Sequence, residues 1–166
     1  MNYLTRDHAL ALYNAPAAAA WDGEAQPLQL CLLCGSGGPP FVRPDSCCAT
    51  CGSPLAPPPT PDARTLEHLG RRGAFRRGRD HVAMVNVGWP STAIPVRWRD
   101  LSLTGLSVFA ERPIAVDRTI RVHDAGVDVL AEVVDCRPQG PYFTVHARLL
   151  RARFLQTSGV FVSARA

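Results

Sequence analysis

The sequence contains no lysine, and all 18 of its basic residues are arginine. It also lacks any run of about 18 apolar residues, the length that spans a bilayer, so no membrane segment is predicted. Asp7, Asn14 and Pro16 interrupt the apolar residues near the N-terminus; no secretory signal core is therefore predicted, and we expect a cytoplasmic protein. The GxSxG, Walker and HExxH motifs are absent, and five histidines are scattered, which argues against an enzyme.

Charge is distributed unevenly along the chain. Residues 1–63 hold two arginines against five acids, a net charge of −3, whereas the remaining 103 residues hold sixteen arginines against nine acids, a net charge of +7. We therefore expect an anionic partner to meet the second part of the chain. The exclusive use of arginine has two explanations: a coding bias, or selection for guanidinium groups, which suit phosphates and guanine edges better than ammonium groups do.

Five of the six cysteines fall within 21 residues and form two copies of one pattern, Cys31-Leu-Leu-Cys34-Gly35 and Cys48-Ala-Thr-Cys51-Gly52. A CxxC pair places two thiolates on one tight turn, at a separation that suits a tetrahedral ion. The glycine after each second cysteine permits a positive φ, so that backbone amides can turn toward the sulfurs. The pattern predicts a metal site. Cys47 could replace its neighbour Cys48 as a ligand, although matching both glycines favours Cys48. A disulfide pair or redox activity are alternative roles for these cysteines.

This arrangement resembles the zinc-ribbon family over residues 29–55. The resemblance implies one structural zinc ion with a closed ligand set and no open coordination position. The ribbon contains only Arg43 and Asp45 as charged side chains, and four thiolates around zinc add negative charge, which disfavours binding to nucleic acid. We therefore expect the ribbon to contact a protein or to stabilise the chain. The zinc ligands implied are Cys31, Cys34, Cys48 and Cys51.

Four segments are predicted in chain order: an N-terminal segment 1–24 with a short helix over 3–15, the zinc ribbon 25–55, a proline-rich linker 56–66 and a second domain 67–166. The second domain is rich in β-branched residues, and turn formers separate its apolar stretches. About six strands in so short a segment favour a small antiparallel barrel, and hence a mainly β fold. The predicted strands cover 82–87, 93–99, 106–110, 119–123, 127–136 and 142–150.

Two features of this second domain carry binding chemistry. Arg71, Arg72 and Arg76 lie in a glycine-containing loop, where guanidinium forks can pair with phosphates or with the O6/N7 edge of guanine. Asp100 and Ser102 follow 24 or more residues later, at a bend where Gly105 permits a sharp turn. A carboxylate accepts hydrogen bonds from guanine N–H groups. The implied ligand carries both phosphate and guanine.

The RxxxR pattern followed by DxSxxG at the rim of a small barrel resembles the PilZ family, whose members bind the bacterial second messenger cyclic di-GMP. The resemblance covers roughly residues 67–166. It implies that Arg72 and Arg76, the arginine pair, wrap the guanines and phosphates while Asp100 and Ser102 contact a base. Gly105 would shape the turn, and Arg71 and Arg77 would be helpers. The extra residues 77–81 before the first strand and the lack of an evident C-terminal helix depart from the family pattern.

The predicted function is therefore a cyclic di-GMP receptor or adaptor that transmits second-messenger level to a protein partner. Two alternatives stand beside it. One is an interaction scaffold with a PilZ-like barrel and no ligand, and the other is a non-specific nucleic-acid binder that uses the arginine loop.

Overall fold

The structure, a computed structural model, describes residues 30–58 and 77–155. These two ranges contain seven β-strands and no helix, and so no helix that is long and apolar enough to cross a membrane. The helix predicted over 3–15, most of the predicted linker and the three predicted ligand-binding arginines (Arg71, Arg72 and Arg76) lie outside the described residues. The strands are β1 (Arg77–Gly78), β2 (Val82–Val87), β3 (Ile94–Leu101), β4 (Gly105–Ala110), β5 (Thr119–His123), β6 (Val127–Gln139) and β7 (Tyr142–Phe154).

Strands β2 to β7 form a closed antiparallel barrel. Their order is β3-β2-β5-β6-β7-β4, and β4 pairs again with β3, which closes the barrel. Successive residues of a strand point to opposite faces, so every second side chain enters the interior. The interior is filled mainly by branched aliphatic side chains and one tryptophan, all at most 4% exposed: Val85, Val96, Trp98, Leu106, Val108, Ile120, Val122, Val129, Val133 and Val145. The mainly β fold with a small antiparallel barrel is thus confirmed.

Strand β1 was not predicted from the sequence, and it places the residues that directly follow Arg76 on the barrel. It pairs with the end of β3, with Arg77 opposite Leu101 and Gly78 opposite Asp100. Two further backbone hydrogen bonds continue the ladder toward β2, from Arg79 N to Arg99 O (3.0 Å) and from Trp98 N to His81 O (3.0 Å). Residues 77–81, expected to be an insertion before the first strand, therefore lie along β3.

Gly105, the first residue of β4, is required by the close approach of two strands. It pairs with Arg148 of β7, and a Cβ atom at this position would lie 2.9 Å from the carbonyl oxygen of Ala147. Real Cβ atoms do not approach backbone oxygens that closely. The sequence suggested that Gly105 permits a sharp bend; the structure shows that it also permits the β4–β7 contact.

We predict that Gly105→Ala lowers the free energy of unfolding by about 1–3 kcal/mol, because the added methyl group forces β4 and β7 apart. Denaturant unfolding followed by intrinsic fluorescence measures the change. The matched control is Gly78→Ala in β1, where the new Cβ would lie 3.9 Å from the nearest atom, the carbonyl oxygen of Arg99. An equal loss of stability in both variants would contradict this account.

Candidate metal centre and ligand site

The two cysteine turns adopt the same backbone conformation. In each turn the glycine N–H donates to the carbonyl of the first cysteine, from Gly35 to Cys31 and from Gly52 to Cys48, both at 2.8 Å. Gly35 and Gly52 have φ angles of 73° and 70°, a region that favours glycine. The repeated CxxCG pattern therefore forms two similar turns, which face each other.

Four cysteine sulfurs converge between these turns. The Sγ atoms of Cys31, Cys34, Cys48 and Cys51 all lie within 4.8 Å of one another, and none of the six cysteines of the chain forms a disulfide. The Cys31–Cys51 and Cys34–Cys48 sulfur pairs are each 3.6 Å apart. Tetrahedral coordination with Zn–S bonds of about 2.3 Å requires sulfurs about 3.8 Å apart. The four thiols therefore fit a metal ion such as zinc.

Two serines that the sequence analysis did not single out complete this cluster. Ser36 Oγ lies 3.0 Å from the sulfur of Cys34 and 3.1 Å from that of Cys48. Ser53 Oγ lies 3.1 Å from the sulfur of Cys51 and 3.2 Å from that of Cys31. Each serine thus bridges its own turn to the other. The signal was present in the sequence, because the repeat is CxxCGS rather than CxxCG.

The hydrogen bonds of the cluster favour partial ionisation of its thiols. Burial opposes ionisation of Cys48, but hydrogen bonds from Ser36 and from two backbone N–H groups lower its pKa to about 6. Burial raises the pKa of Cys51 to about 12, and the neighbouring Cys31 and Cys34 add to this effect although Ser53 opposes it. Four adjacent thiols do not all ionise by themselves, so binding of a divalent cation must release protons.

Cys47 lies outside the cluster. Of the two adjacent cysteines, Cys48 is therefore the candidate ligand. The thiol of Cys47 donates to the carbonyl of Asp45 at 3.3 Å and contacts the Arg153 guanidinium. Cys48 is 3% exposed and contributes its sulfur to the group of four. Cys48 therefore belongs to the four-sulfur cluster, whereas Cys47 contacts Asp45 and Arg153 outside it.

The cysteine module (residues 30–55) packs on the barrel through Arg121 of β5. This side chain donates to the carbonyl oxygens of Cys51 (2.7 Å) and Gly52 (2.9 Å), and its Nε and Nη2 form a two-point ion pair with Asp128 at 2.9 and 2.8 Å. Asp128, whose side chain is only 2% exposed, also accepts from Arg153. Hydrogen bonding to Asp128 raises the pKa of Arg121 despite its partial burial. Arg121 therefore ties the second cysteine turn to β5 and β6.

Apolar contacts surround this polar contact. Leu33 and Leu55 of the cysteine module pack with Leu130 of β6, and Leu150 of β7 lies beside them. Ala56, where the predicted linker begins, is 1% exposed and accepts a hydrogen bond from Ala152 N at 2.9 Å. The chain therefore remains against the barrel as it leaves the cysteine module.

Three of the predicted ligand residues, Asp100, Ser102 and Gly105, lie at or beside the β3–β4 turn, but their roles differ. Ser102 is 4% exposed. Its hydroxyl donates to the carbonyl of Gly105 (3.0 Å) and accepts from the N–H groups of Gly105 (3.0 Å) and Thr104 (3.3 Å). Ser102 therefore closes the turn with its side chain, whereas Asp100 lies on the adjoining strand.

Asp100 lies on the outer face of the barrel. It is opposite Ser107 in β4, and Ser107 alternates with the interior residues Leu106 and Val108. Paired residues of an antiparallel ladder share one face, so Asp100 and Ser107 both face outward. The Ser107 hydroxyl donates to Asp100 Oδ2 at 2.8 Å, and Arg99 Nε lies 4.0 Å from the same oxygen. Ser107 was not identified from the sequence, since the DxSxxG pattern ends at Gly105.

Asp124, in the turn between β5 and β6, anchors the residues that follow β1. Its Oδ2 accepts from His81 Nε2 (2.7 Å), Trp98 Nε1 (2.8 Å) and Arg79 Nη1 (3.2 Å). Burial opposes ionisation of this carboxyl, but the hydrogen bonds from His81 and from two backbone N–H groups lower its pKa. The Arg79 guanidinium also lies over the Trp98 ring, 5.7 Å from its centre. These contacts hold Arg79 and His81 on the barrel.

We predict that Arg121→Met lowers the free energy of unfolding by about 3 kcal/mol, because it leaves Asp128 buried with a weaker partner and removes two bonds to the cysteine module. The matched control is Arg148→Met, which breaks an ion pair with Glu132 whose side chains are 63% and 31% exposed. That control should cost less than about 1 kcal/mol. Denaturant unfolding of both variants measures the difference, and similar losses would contradict the role of Arg121.

No family model matches the chain, and no curated protein matches it. The chemistry of the metal centre and of the Asp100 region therefore rests on the side chains and distances described above. The four convergent sulfurs form a cluster that could hold a metal. The Asp100 carboxylate accepts a hydrogen bond from Ser107, and Asp100 lies opposite Gly78 of β1.

Proposed function

We propose that this chain is a non-enzymatic receptor for cyclic di-GMP, with a PilZ-type barrel and a structural zinc ion held by its cysteine module. One observation carries the proposal: β1 pairs with the end of β3, so that Gly78 lies opposite Asp100 and Arg77 opposite Leu101. Because Arg76 directly precedes β1, its backbone is within one residue of this ladder. This short separation along the sequence supports a site in which the arginine pair and Asp100 share one ligand.

The chemistry of the neighbouring groups suits a guanine nucleotide. Asp100 offers carboxylate oxygens, which accept hydrogen bonds from guanine N1–H and N2–H₂, whereas guanidinium groups pair with phosphates and with guanine O6 and N7. Arg99 supplies a further guanidinium beside Asp100, and its Cζ lies 5.9 Å from the centre of the Phe109 ring. A planar cation stacked on an aromatic ring gives a surface on which a base can stack.

The turn residues support the same proposal in a different way from that expected. Ser102 was expected to contact a base, but its hydroxyl is engaged within the turn. Gly105 lies against the Ala147 carbonyl. In the proposed complex these two residues hold the β3–β4 turn, and through it Asp100, in position. Direct contact with the ligand is assigned to Asp100 and the arginines.

The zinc ion is proposed to be structural. Four thiolates fill a tetrahedral shell, so no coordination position remains for a substrate. The cysteine module has few apolar residues of its own, so the metal would supply folding free energy that its small core does not. Cys31, Cys34, Cys48 and Cys51 would hold the ion, with Ser36 and Ser53 donating to the sulfurs. Reduced cysteines are typical of the cytoplasm, which is the proposed location.

A protein partner is proposed to receive the signal. The cysteine module carries exposed apolar side chains, with Leu30 at 63% and Phe41 at 60% exposure. It has little charge and, with zinc bound, would repel a polyanion. A protein surface suits it better than a nucleic acid does.

The first test is calorimetric titration of the purified protein with cyclic di-GMP. We expect saturable binding with the wild type and at least a tenfold weaker affinity for Arg76→Ala, on the scale of a charge-assisted hydrogen bond. The control is Arg112→Ala, an exposed arginine in the β4–β5 loop that removes the same charge elsewhere.

Absence of binding by the wild type would overturn the receptor proposal in favour of a scaffold. Equal losses with both arginine variants, or tighter binding to a random polynucleotide with steep salt dependence, would favour a non-specific nucleic-acid binder.

The second test is metal content. We expect one zinc ion per chain, measured by elemental analysis after purification, and loss of that ion together with a lower melting temperature for Cys48→Ser. Cys47→Ser is the matched control, because it removes the adjacent thiol, which lies outside the cluster, and should retain zinc. Retention of zinc by Cys48→Ser and its loss from Cys47→Ser would contradict the ligand assignment.

A further inference from the structure

We infer that Ser107 is a positioning residue for the carboxylate of Asp100, and that it determines how strongly the site discriminates guanine from other purines. This inference rests on the proposed function. It concerns a side chain outside the DxSxxG pattern, on the strand that follows it.

Ser107 is an unusual residue for its position. It is on the outer face of β4, yet it is 0% exposed. A hydroxyl that is removed from water must form a hydrogen bond, or its burial is costly. The Ser107 hydroxyl meets this requirement by donating to Asp100 Oδ2 at 2.8 Å. Its proton is therefore directed at a single acceptor on the neighbouring strand.

The effect on Asp100 is orientational. The terminal torsion of an aspartate is broad, so a carboxylate without fixed partners samples many orientations. The Ser107 hydroxyl of β4 donates to Oδ2 at 2.8 Å, and Arg99 Nε of β3 lies 4.0 Å from the same oxygen. The register is also defined, because β3 has a bulge between Trp98 and Asp100 that brings Asp100 opposite Ser107. The hydrogen bond from Ser107 thereby restricts the orientation of the carboxylate before any ligand arrives.

The orientation of the Asp100 carboxylate affects how well it can recognise guanine. Guanine presents N1–H and N2–H₂ side by side, and a carboxylate must align with both to accept two hydrogen bonds. Hypoxanthine lacks the 2-amino group, so cyclic di-IMP can donate only one of the two. Preorganised groups lose less conformational freedom on binding. If Ser107 sets the plane, its loss weakens the second hydrogen bond and thus the preference for guanine, beyond any general loss of affinity.

The experiment measures the ratio of dissociation constants for cyclic di-IMP and cyclic di-GMP by titration calorimetry on the full chain. We expect the wild type to prefer cyclic di-GMP by roughly tenfold, the scale of one hydrogen bond to a charged group. Ser107→Ala should lower this ratio toward one. Ser107→Thr retains the hydroxyl and should restore it. Ser107→Cys, which retains the volume but donates only weakly, gives a second variant should the alanine variant fold poorly.

The control for a purely structural effect is Thr144→Val. Thr144 in β7 is also a buried hydroxyl, at 3% exposure, and it bonds to Gln139 rather than to Asp100. It should lower the melting temperature about as much as Ser107→Ala does, while leaving the ligand ratio unchanged.

The possible outcomes distinguish the role of Ser107 from the receptor function. If the wild type prefers cyclic di-GMP and Ser107→Ala keeps the same ratio, the role of Ser107 is overturned while the receptor function stands. The same holds if Thr144→Val lowers the ratio equally. If the wild type binds neither dinucleotide, the receptor function itself is overturned, and the inference with it.

Discussion

Strand β3 pairs on one side with β4 and on the other with both β1 and β2, and the geometry of the Asp100 region depends on these pairings. The β3–β4 ladder closes the barrel and places Asp100 beside Ser107. The ladder from β1 into β2 brings residues 77–87 to the opposite edge of β3. Backbone hydrogen bonds set these positions, so they do not depend on the conformation of long side chains.

The hairpin of β5 and β6 connects the four-cysteine cluster to this region. Asp124 in its turn holds Arg79 and His81, which follow β1. Asp128, four residues later, holds Arg121, which donates to the second cysteine turn. Two aspartates on one short hairpin thus fix two segments that are distant in sequence. Both are largely buried, so each needs the cationic partners that it has.

Charge and donor geometry together explain why arginine is used at these contacts. Four thiolates around a divalent cation would have a formal charge of about −2. Arg121 lies beside the second cysteine turn, and Arg153 contacts Cys47. A guanidinium group can donate in several directions at once, which lets Arg121 bond to two carbonyls and a carboxylate together. An ammonium group lacks that planar fork. The absence of lysine therefore accords with these contacts, even if its origin is a coding bias.

The sequence by itself determined the local features. Alternation of apolar residues predicted the six barrel strands, because each strand must bury one face, and the repeated CxxCG predicted a four-sulfur cluster, because spacing of cysteines on a turn is a local property. It could not reveal Ser107, Arg121 or the pairing of β1. These depend on which strands become neighbours and in what register, and a shift of one residue would turn Ser107 away from Asp100. Only the closed barrel decides that register.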